Sequence, residues 1–384
     1  MSIEDRMAEA LVELEQGGNL RQLRQMKLDG LRLEHGGKSY LNLSSNDYLG
    51  LSCTNYAHYP LGDGNRFMHG NPSSRLMTGN SQDYEELEEE LQLLFPTKKA
   101  LVLGCGFMAN CGLPAAIAGK GDLILADKLI HASLIDGLRL GEADWKRFRH
   151  NDLAQLEKLL QSAPDGAHVW VIIESIYSMD GDAAPLAEIM ELKRRYGFQL
   201  MVDEAHAFGV RGPKGKGLCA ELGLDEDVDL LMCTFGKAIA GAGACILCSA
   251  TMRAYFVNRL RPLIFSTALP PITLRWNRFI IHQMRTEELS TKDPERYPSM
   301  ASLRAHLADL VAILGGCSQI IPLAAGSNER ALRMAAQGAE AGYWLTAIRP
   351  PTVPQGSARI RLSLSAAFST EQITNLLTLC KKLG

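Results

Sequence analysis

Short apolar runs alternate with amphipathic stretches through the middle of the chain. The apolar runs are 100–103, 123–126, 169–173, 200–202, 230–233 and 245–248, and the main helical candidates between them are 107–118, 153–160 and 186–196. Strands that are apolar on both faces are typical of a parallel sheet covered by helices. Alternating strands and helices favour a series of βαβ units. The pattern therefore predicts an α/β fold with a mostly parallel central sheet and helices on both faces.

The two ends of the chain have different patterns. Apolar residues at helical spacing predict a helix over 3–15, and two short alternating runs around Gly36-Gly37 predict a hairpin. Beyond Pro270-Pro271 the pattern changes to long helices, followed by strand candidates at 320–323, 344–348 and 359–364 and a last helix over 371–381.

These patterns predict three parts. Residues 1–45 form an N-terminal helix and hairpin arm, residues 46–285 form the large domain, and residues 286–384 form a smaller α+β domain.

Composition excludes several classes of protein. The 384 residues are 46% hydrophobic, which argues against a mainly disordered chain. Forty basic and 43 acidic residues give a net charge of −3, so no overall field attracts nucleic acid or anionic lipid. The first ten residues include Glu4, Asp5, Arg6 and Glu9, a composition unlike a secretory signal, and we expect a cytoplasmic protein.

The nine cysteines favour reduced, packed side chains. Their number is odd and the expected compartment is reducing. Cys245 and Cys248 have the spacing of a metal or redox pair, but no second pair of cysteines or histidines lies near them in the sequence. Their apolar neighbours favour a buried strand, and we expect no metal site.

Residues 231–252 resemble a membrane span because Lys237 is their single charge. A central lysine is costly in a bilayer, and Gly236, Gly241 and Gly243 make a poor helix. The segment instead predicts two buried strands around a glycine-rich turn, and no membrane association.

Asp203-Glu204-Ala205-His206 spells a box found in helicases and other ATPases. That function requires a phosphate-binding loop of the form G-x-x-x-x-G-K-[ST]. Only Gly37-Lys38-Ser39 contains Gly-Lys-Ser, and there Arg32 replaces the first glycine and the segment belongs to the predicted hairpin. The nucleotide-binding interpretation is therefore rejected.

Asp203, His206 and Lys237 each follow closely on a predicted strand. Ligands of open α/β sheets bind at the carboxyl ends of the strands, so these side chains are expected to converge. A lysine in an apolar pocket supplies a nucleophilic amine suited to Schiff-base chemistry. A buried Asp–Lys ion pair explains the same residues, and the pattern alone leaves both open.

Two further features point to the same edge of the sheet. Gly104-Cys105-Gly106-Phe107 follows one strand and opens a helix, which makes an anion site or simply a tight turn. His131 begins another helix, either as a capping or packed residue or as part of an active site.

Taken together, these motifs resemble the α-oxoamine synthases, which are fold-type I pyridoxal-phosphate (PLP) enzymes. The resemblance covers most of the chain. It is carried by residues 42–50, Asp127-x-x-x-His131-Ala132-Ser133, Ser178-Met179-Asp180-Gly181-Asp182, Val202-Asp203-Glu204-Ala205-His206 and Thr234-Phe235-Gly236-Lys237.

The resemblance implies PLP as cofactor and a role for each matching residue. Lys237 would hold the cofactor covalently and move the proton at the substrate Cα, and Asp203 would pair with the pyridine nitrogen. His206, with Ser178, would contact the ring hydroxyl, and His131 would stack on the ring face.

Other matching positions would serve the phosphate and the substrates. Gly106 and Phe107 amides and the Thr234 hydroxyl would serve the cofactor site and its phosphate end. Arg349 would bind the amino-acid carboxylate with its planar guanidinium. The remaining substrate-side matches are Arg21, Thr352 and Asn46.

Residues 346–354 resemble one branch of the family most. That resemblance implies condensation of L-alanine with a pimeloyl thioester, carried on CoA or on acyl carrier protein. It also implies a homodimer with the active site at the subunit interface, where Ser266 and Thr267 would reach the partner's phosphate site.

Three alternatives stay open. Two are sister activities, with glycine and acetyl-CoA or with serine and a long-chain acyl-CoA. The third is a catalytically silent PLP-binding regulator or partner subunit, against which Lys237 and the lack of a helix-turn-helix extension both argue.

The chain departs from the family pattern at three places. These are the segment Gly70-Asn71-Pro72-Ser73-Ser74-Arg75, Tyr84 in place of a usual histidine, and Ala366-Ala367-Phe368 where Ala-Ala-His is common. They bear on the acyl chain and the CoA contacts and leave the cofactor residues untouched.

Overall fold

The computed structural model describes residues 1–53, 70–287 and 299–383. The chain forms two compact units. The terminal unit comprises Met1–Thr54, Met179–Gly181 and His306–Gly384, and the central unit comprises Asn55–Ser178 and Asp182–Ala305. The three-part division drawn from the sequence stays a prediction.

Helices and strands alternate along most of the chain. The helices are α1 (Ile3–Gln16), α2 (Gln82–Leu94), α3 (Gly106–Ile117), α4 (Ala132–Leu140), α5 (Leu153–Gln161), α6 (Leu186–Tyr196), α7 (Leu218–Glu221), α8 (Ala250–Arg259), α9 (Arg261–Ile264), α10 (Pro271–Thr286), α11 (Met300–Ile313), α12 (Asn328–Glu340) and α13 (Thr370–Leu383). The strands are β1 (Lys27–Asp29), β2 (Arg32–His35), β3 (Lys38–Asn42), β4 (Lys99–Leu103), β5 (Leu123–Asp127), β6 (Asp144–Phe148), β7 (Val169–Glu174), β8 (Gln199–Asp203), β9 (Leu230–Thr234), β10 (Ala244–Cys248), β11 (Ile320–Gly326), β12 (Tyr343–Trp344), β13 (Ala347–Ile348) and β14 (Ala358–Ser363).

The central unit is built on a seven-stranded sheet in the order β4-β10-β9-β8-β7-β5-β6. Strands β6, β5, β7, β8 and β9 run parallel, whereas β10 is antiparallel to both β9 and β4. All residues of β5, β9 and β10 are buried, as expected for strands covered on both faces. The six predicted apolar strands and the mostly parallel α/β fold are confirmed.

Strand β6 was not predicted because three of its five residues, Asp144, Lys146 and Arg147, are charged. Four of its five residues are exposed, as an edge strand permits. An edge strand with one solvent-exposed face carries too few apolar residues to produce a hydrophobic run.

Helices α3 and α4 pack closely together in the core of the central unit. A Cβ added to Gly137 would lie 2.5 Å from the Asn110 carbonyl oxygen, so only glycine permits this approach. The packing matters for function because Asn110 and His131 lie on or beside these helices.

The terminal unit contains two small sheets, β1-β2-β3-β12 and β11-β14-β13. The predicted hairpin is confirmed as the antiparallel pair β2 and β3, and the first helix is confirmed as α1, which has a Ser2–Asp5 capping box. Gly37-Lys38-Ser39 lies on this hairpin, away from any strand-to-helix turn.

The single strand predicted over 344–348 is wrong. Tyr343–Trp344 pairs in parallel with β3, whereas Ala347–Ile348 pairs antiparallel with β14 in the other sheet. The chain changes sheets at the buried Leu345, so an apolar run that looks continuous is divided between two sheets.

Residues 231–252 form β9, β10 and the turn between them, followed by the first residues of α8. Throughout the described ranges, none of the helices combines the length and apolar character needed to cross a bilayer. Cys245 and Cys248 lie buried in β10 as free thiols, whereas Cys317 is exposed.

Candidate active site

A cleft lies at the carboxyl edge of the central sheet. Its empty space, which includes open solvent, is about 450 Å³. Its lining residues are Gly106, Phe107, Asn110, His131, Ser133, Glu174, Asp203, Ala205, His206, Met232, Thr234 and Lys237. The cleft therefore lies where ligands bind in open α/β sheets.

Lys237 enters the cleft from the turn between β9 and β10. Its Nζ lies 2.7 Å from Nε2 of His206. The turn is held by backbone hydrogen bonds from Phe235 to Gly243 and from Gly241 to Phe235. The amine is therefore presented by a fixed loop beside an imidazole.

Asp203 is the last residue of β8 and is 3% exposed. Its Oδ2 accepts a hydrogen bond from Asn110 Nδ2 at 2.8 Å, and its Oδ1 accepts one from the Ala205 amide at 2.9 Å. Hydrogen bonds thus fix the orientation of both carboxylate oxygens.

His131 both caps α4 and faces the cleft. Its Nδ1 lies 2.6 Å from Ser133 Oγ and accepts the Ser133 amide at 3.3 Å. Burial lowers the pKa of His131, opposed by the charge of Asp203 and reinforced by that of Lys237, so a neutral ring faces the cleft at neutral pH. The capping interpretation is confirmed, and the role of His131 in an active site stays a prediction.

The N-terminus of α3 lines the cleft with Gly106 and Phe107. The helix begins at Gly106, and Sγ of Cys105 accepts the Met108 amide. A Cβ on Gly106 would lie 3.4 Å from Thr234 Oγ1, which places that hydroxyl beside the first turn. Amides at a helix start attract phosphate through hydrogen bonds and the helix dipole.

Glu174 lines the cleft but was not among the residues predicted from the sequence. It ends β7, lies opposite Asp203 in the sheet and is 2% exposed. Burial, and then the charge of Asp203, raise the pKa of Glu174 well above its usual value. Its Oε1 has no hydrogen-bond partner among the described residues, and the same holds for Oδ1 of the cleft residue Asn110. The signal was available, because Glu174 follows an apolar run just as Asp203 does.

These groups fit PLP. The cleft contains an amine for the aldehyde carbon, a buried carboxylate for the pyridine nitrogen, an imidazole beside the amine and a helix start for the phosphate. Unpartnered polar atoms in its wall are consistent with a polar ligand.

The remaining predicted residues lie elsewhere. Ser178 is buried in the central unit but is not among the cleft-lining residues. The four predicted substrate residues, Arg21, Asn46, Arg349 and Thr352, belong to the terminal unit.

Within the terminal unit these four residues make defined contacts. Arg21 donates to Thr352 Oγ1 at 3.2 Å, Arg349 donates to the Gly18 carbonyl oxygen, and Asn46 Oδ1 accepts from Arg361 at 3.1 Å. Burial, with the charges of Arg21 and Arg24, lowers the pKa of Arg349.

The departures from the family pattern have structural roles. The Tyr84 hydroxyl accepts the Leu269 amide at 2.6 Å, and the Arg75 guanidinium lies 4.1 Å from the centre of its ring. Ser74 forms an isolated β-bridge with Thr267. In the terminal unit, Phe368 is fully buried and its carbonyl oxygen contacts His306 Nε2.

Comparisons with known proteins agree with this geometry. The family model of aminotransferase class I and II matches residues 38–379. An 8-amino-7-oxononanoate synthase from Chlorobaculum parvum is 44% identical over 91% of this chain and 90% of its own. A putative 8-amino-7-oxononanoate synthase from Geobacillus kaustophilus is 42% identical over 94% and 93%.

Solved structures show the same fold. Serine palmitoyltransferase (SPT) from Sphingomonas wittichii is 28% identical with a TM-score of 0.86 and covers 99% of this chain and 96% of its own. A structure of SPT with PLP is 26% identical with the same TM-score, over 99% and 97%. The predicted fold type and the predicted cofactor are thereby confirmed. The chain therefore belongs to the aminotransferase class I and II family of PLP-dependent enzymes, in the branch whose members are named 8-amino-7-oxononanoate synthase.

Proposed function

We propose that the protein condenses L-alanine with a pimeloyl thioester and releases carbon dioxide and the free thiol, giving 8-amino-7-oxononanoate for biotin biosynthesis. The observation that carries the chemistry is the Lys237 amine 2.7 Å from His206, in one cleft with Asp203. The choice of product follows the names of the relatives at 44% and 42% identity.

PLP supplies an aldehyde that condenses with amines and a ring that accepts the electron pair left at the adjacent carbon. The residues of the chain hold the cofactor, orient the reactants and move the proton. Lys237 holds the cofactor and moves the proton at Cα of alanine. Asp203 keeps a proton on the ring nitrogen, and this role explains why its carboxylate is held by Asn110 and the Ala205 amide.

Neighbouring groups orient the cofactor. The start of α3, with Gly106, Phe107 and the Thr234 hydroxyl, binds the phosphate, and the neutral ring of His131 stacks on the cofactor. His206 binds the ring hydroxyl; the same role for Ser178, which is not among the cleft-lining residues, stays an implication of the resemblance. Unlike an imidazolium, a neutral His131 adds no charge that would oppose protonation of the ring nitrogen.

Four further residues are proposed to bind the substrate. Arg349 binds the carboxylate of alanine with its planar fork, and Arg21, Thr352 and Asn46 serve the substrate side.

We further propose that the protein acts as a cytoplasmic homodimer, with Ser266 and Thr267 serving the partner's phosphate site.

A matrix of substrates tests the proposal. The PLP-loaded protein is assayed with alanine, glycine and serine against pimeloyl-, acetyl- and palmitoyl-CoA, with pimeloyl-acyl carrier protein as a further donor. We expect the product of alanine and a pimeloyl thioester, identified by its mass. Turnover only with glycine and acetyl-CoA would contradict the proposal.

Serine palmitoyltransfer is the second candidate, because the SPT structures match 99% of the chain. The assay with serine and palmitoyl-CoA decides between the two. A silent PLP-binding protein would give no turnover in any combination while still binding the cofactor at Lys237. Borohydride reduction followed by peptide mapping locates that attachment, and failure of PLP to attach would contradict the role of Lys237.

A further inference from the structure

His150 contacts two carboxylates at once. Its Nδ1 lies 3.0 Å from Asp127 Oδ1, and its Nε2 lies 2.7 Å from Asp182 Oδ2. The next residue reinforces both contacts, because the Asn151 amide donates to Asp127 at 2.8 Å and its side chain donates to Asp182 at 3.1 Å. We call His150, Asn151, Asp127 and Asp182 the His150 network.

One end of the His150 network, Asp127, contacts the turn that leads to His131. Asp127 is the last residue of β5 and its side chain is fully buried. Its Oδ1 also accepts the Leu129 amide at 2.7 Å, and the Lys128 amide donates to the Phe148 carbonyl. The backbone between β5 and His131 is therefore held by hydrogen bonds to Asp127, which itself contacts His150, and to Phe148.

The other end holds the segment that contains Ser178. The Tyr177 amide donates to the Asp182 carbonyl at 3.0 Å, and Ile176 forms a β-bridge with Ala183. The Tyr177 ring meets the His150 ring edge-on at 4.4 Å. The titratable groups facing His150 are thus Asp127 from β5 and Tyr177 and Asp182 from the segment after β7.

Both ring nitrogens of His150 face carboxylate oxygens, so both contacts are hydrogen bonds only when the ring carries two protons. Burial by itself lowers the pKa of His150, but the hydrogen bonds to Asp127 and Asp182 raise it to about 10. The ring is then an imidazolium at any working pH near neutrality.

We propose that His150 is a positioning residue of the active site, whose two ring nitrogens join Asp127 to Asp182 and thereby fix the backbone that carries His131 and Ser178. It touches neither cofactor nor substrate and acts through those two residues. The proposal rests on the proposed role of His131 at the cofactor.

Ring-labelled histidine NMR on the PLP-loaded protein tests the protonation directly. The His150 signal, assigned with His150→Gln, is expected to keep its protonated shift from pH 6 to 9. Titration near its ordinary value of about 6.5 would overturn the proposal, whatever the substrates prove to be.

The His150→Gln variant tests the positioning, since a glutamine amide cannot donate to both carboxylates in this geometry. We expect it to bind PLP, to shift the His131 signal and to lower kcat with alanine about ten- to hundredfold while KM for alanine changes less than about threefold. An unshifted His131 signal with unchanged kcat would overturn it.

The matched control is His282→Gln, which removes another histidine–carboxylate pair, His282 with Glu90 at 3.2 Å between α10 and α2. We expect it to leave kcat and the His131 signal unchanged; equal effects from both variants would reduce His150 to a general stabilising residue and overturn the proposal. If the wild-type protein lacks activity with alanine, the proposed function fails while the two NMR measurements still decide the role of His150.

Discussion

Asp203 and Glu204 are consecutive, acidic and buried, yet their side chains have different partners. Asp203 lines the cleft, where its carboxylate is held by two donors. Glu204 faces the protein interior and accepts hydrogen bonds from Ser175 Oγ, from the Leu218 amide and from the Cys219 amide.

The two neighbouring carboxylates of this motif thus have different surroundings: one lines the cleft, and the other holds the loop together. Glu204 joins the start of α7 to Ser175, and Gly217 packs so closely that an added Cβ would lie 2.8 Å from the Glu204 carboxyl. Burial raises the pKa of Glu204, while its hydrogen bonds oppose that rise. In the proposed function Asp203 binds the cofactor, whereas Glu204 stabilises the loop that follows β8.

The largest effect should come from Asp203→Asn. The substitution keeps the shape and removes the negative charge facing the ring nitrogen, so we expect kcat to fall about 10²–10⁴-fold. Far-UV circular dichroism should stay unchanged. Activity within a factor of three of the wild type would remove Asp203 from the chemistry.

Glu204→Ala should show the reverse pattern. Three donors lose their buried acceptor, and we expect the free energy of unfolding to fall by about 2–4 kcal/mol in urea titrations. The folded fraction should keep nearly normal kcat, and Glu204→Gln should recover part of the stability. A fully stable but inactive Glu204→Ala would erase the distinction between the two neighbours.

The His150 network provides a third environment for comparison, in which the carboxylates of Asp127 and Asp182 are paired with the protonated ring of His150. The folded pKa of His150, about 10, lies above its unfolded value of about 6.5. The stabilisation is therefore complete below pH 6.5 and is lost as the pH rises through 10. Between pH 7 and 10.5 we expect the wild type to lose about 1–3 kcal/mol more than His150→Gln, measured by urea unfolding at each pH. Parallel pH curves for the two proteins would contradict the charged pairing.

Glu174→Gln should have the smallest effect. The raised pKa favours the protonated form of Glu174, and an amide replaces a neutral carboxylic acid with little change. We expect kcat within about threefold and unfolding free energy within about 1 kcal/mol of the wild type. A loss as large as that of Asp203→Asn would mean that Glu174 works as an ionised group.

The sequence reveals residues that stand directly after buried strands. Asp203 and Lys237 were predicted as site residues for this reason, and the structure places both in one cleft. The contacts of His150 could not be predicted in this way, because its partners lie 23 and 32 residues away. Which side chains meet across such separations depends on strand order, and an apolar pattern does not encode strand order. The change of sheet at Leu345 escaped prediction for the same reason.

The reversed strand β10 also dictates when the central sheet can be completed. Among the described strands, β4 lies at the sheet edge and pairs with β10 alone, which follows it by more than a hundred residues. A chain emerging from the ribosome thus carries β4 without its partner until residue 248 has been made, with Ala100, Leu101 and Val102 still to be covered. Unpaired apolar strands are prone to aggregate, so nascent chains that end before β10 should depend on chaperones far more than the complete protein does.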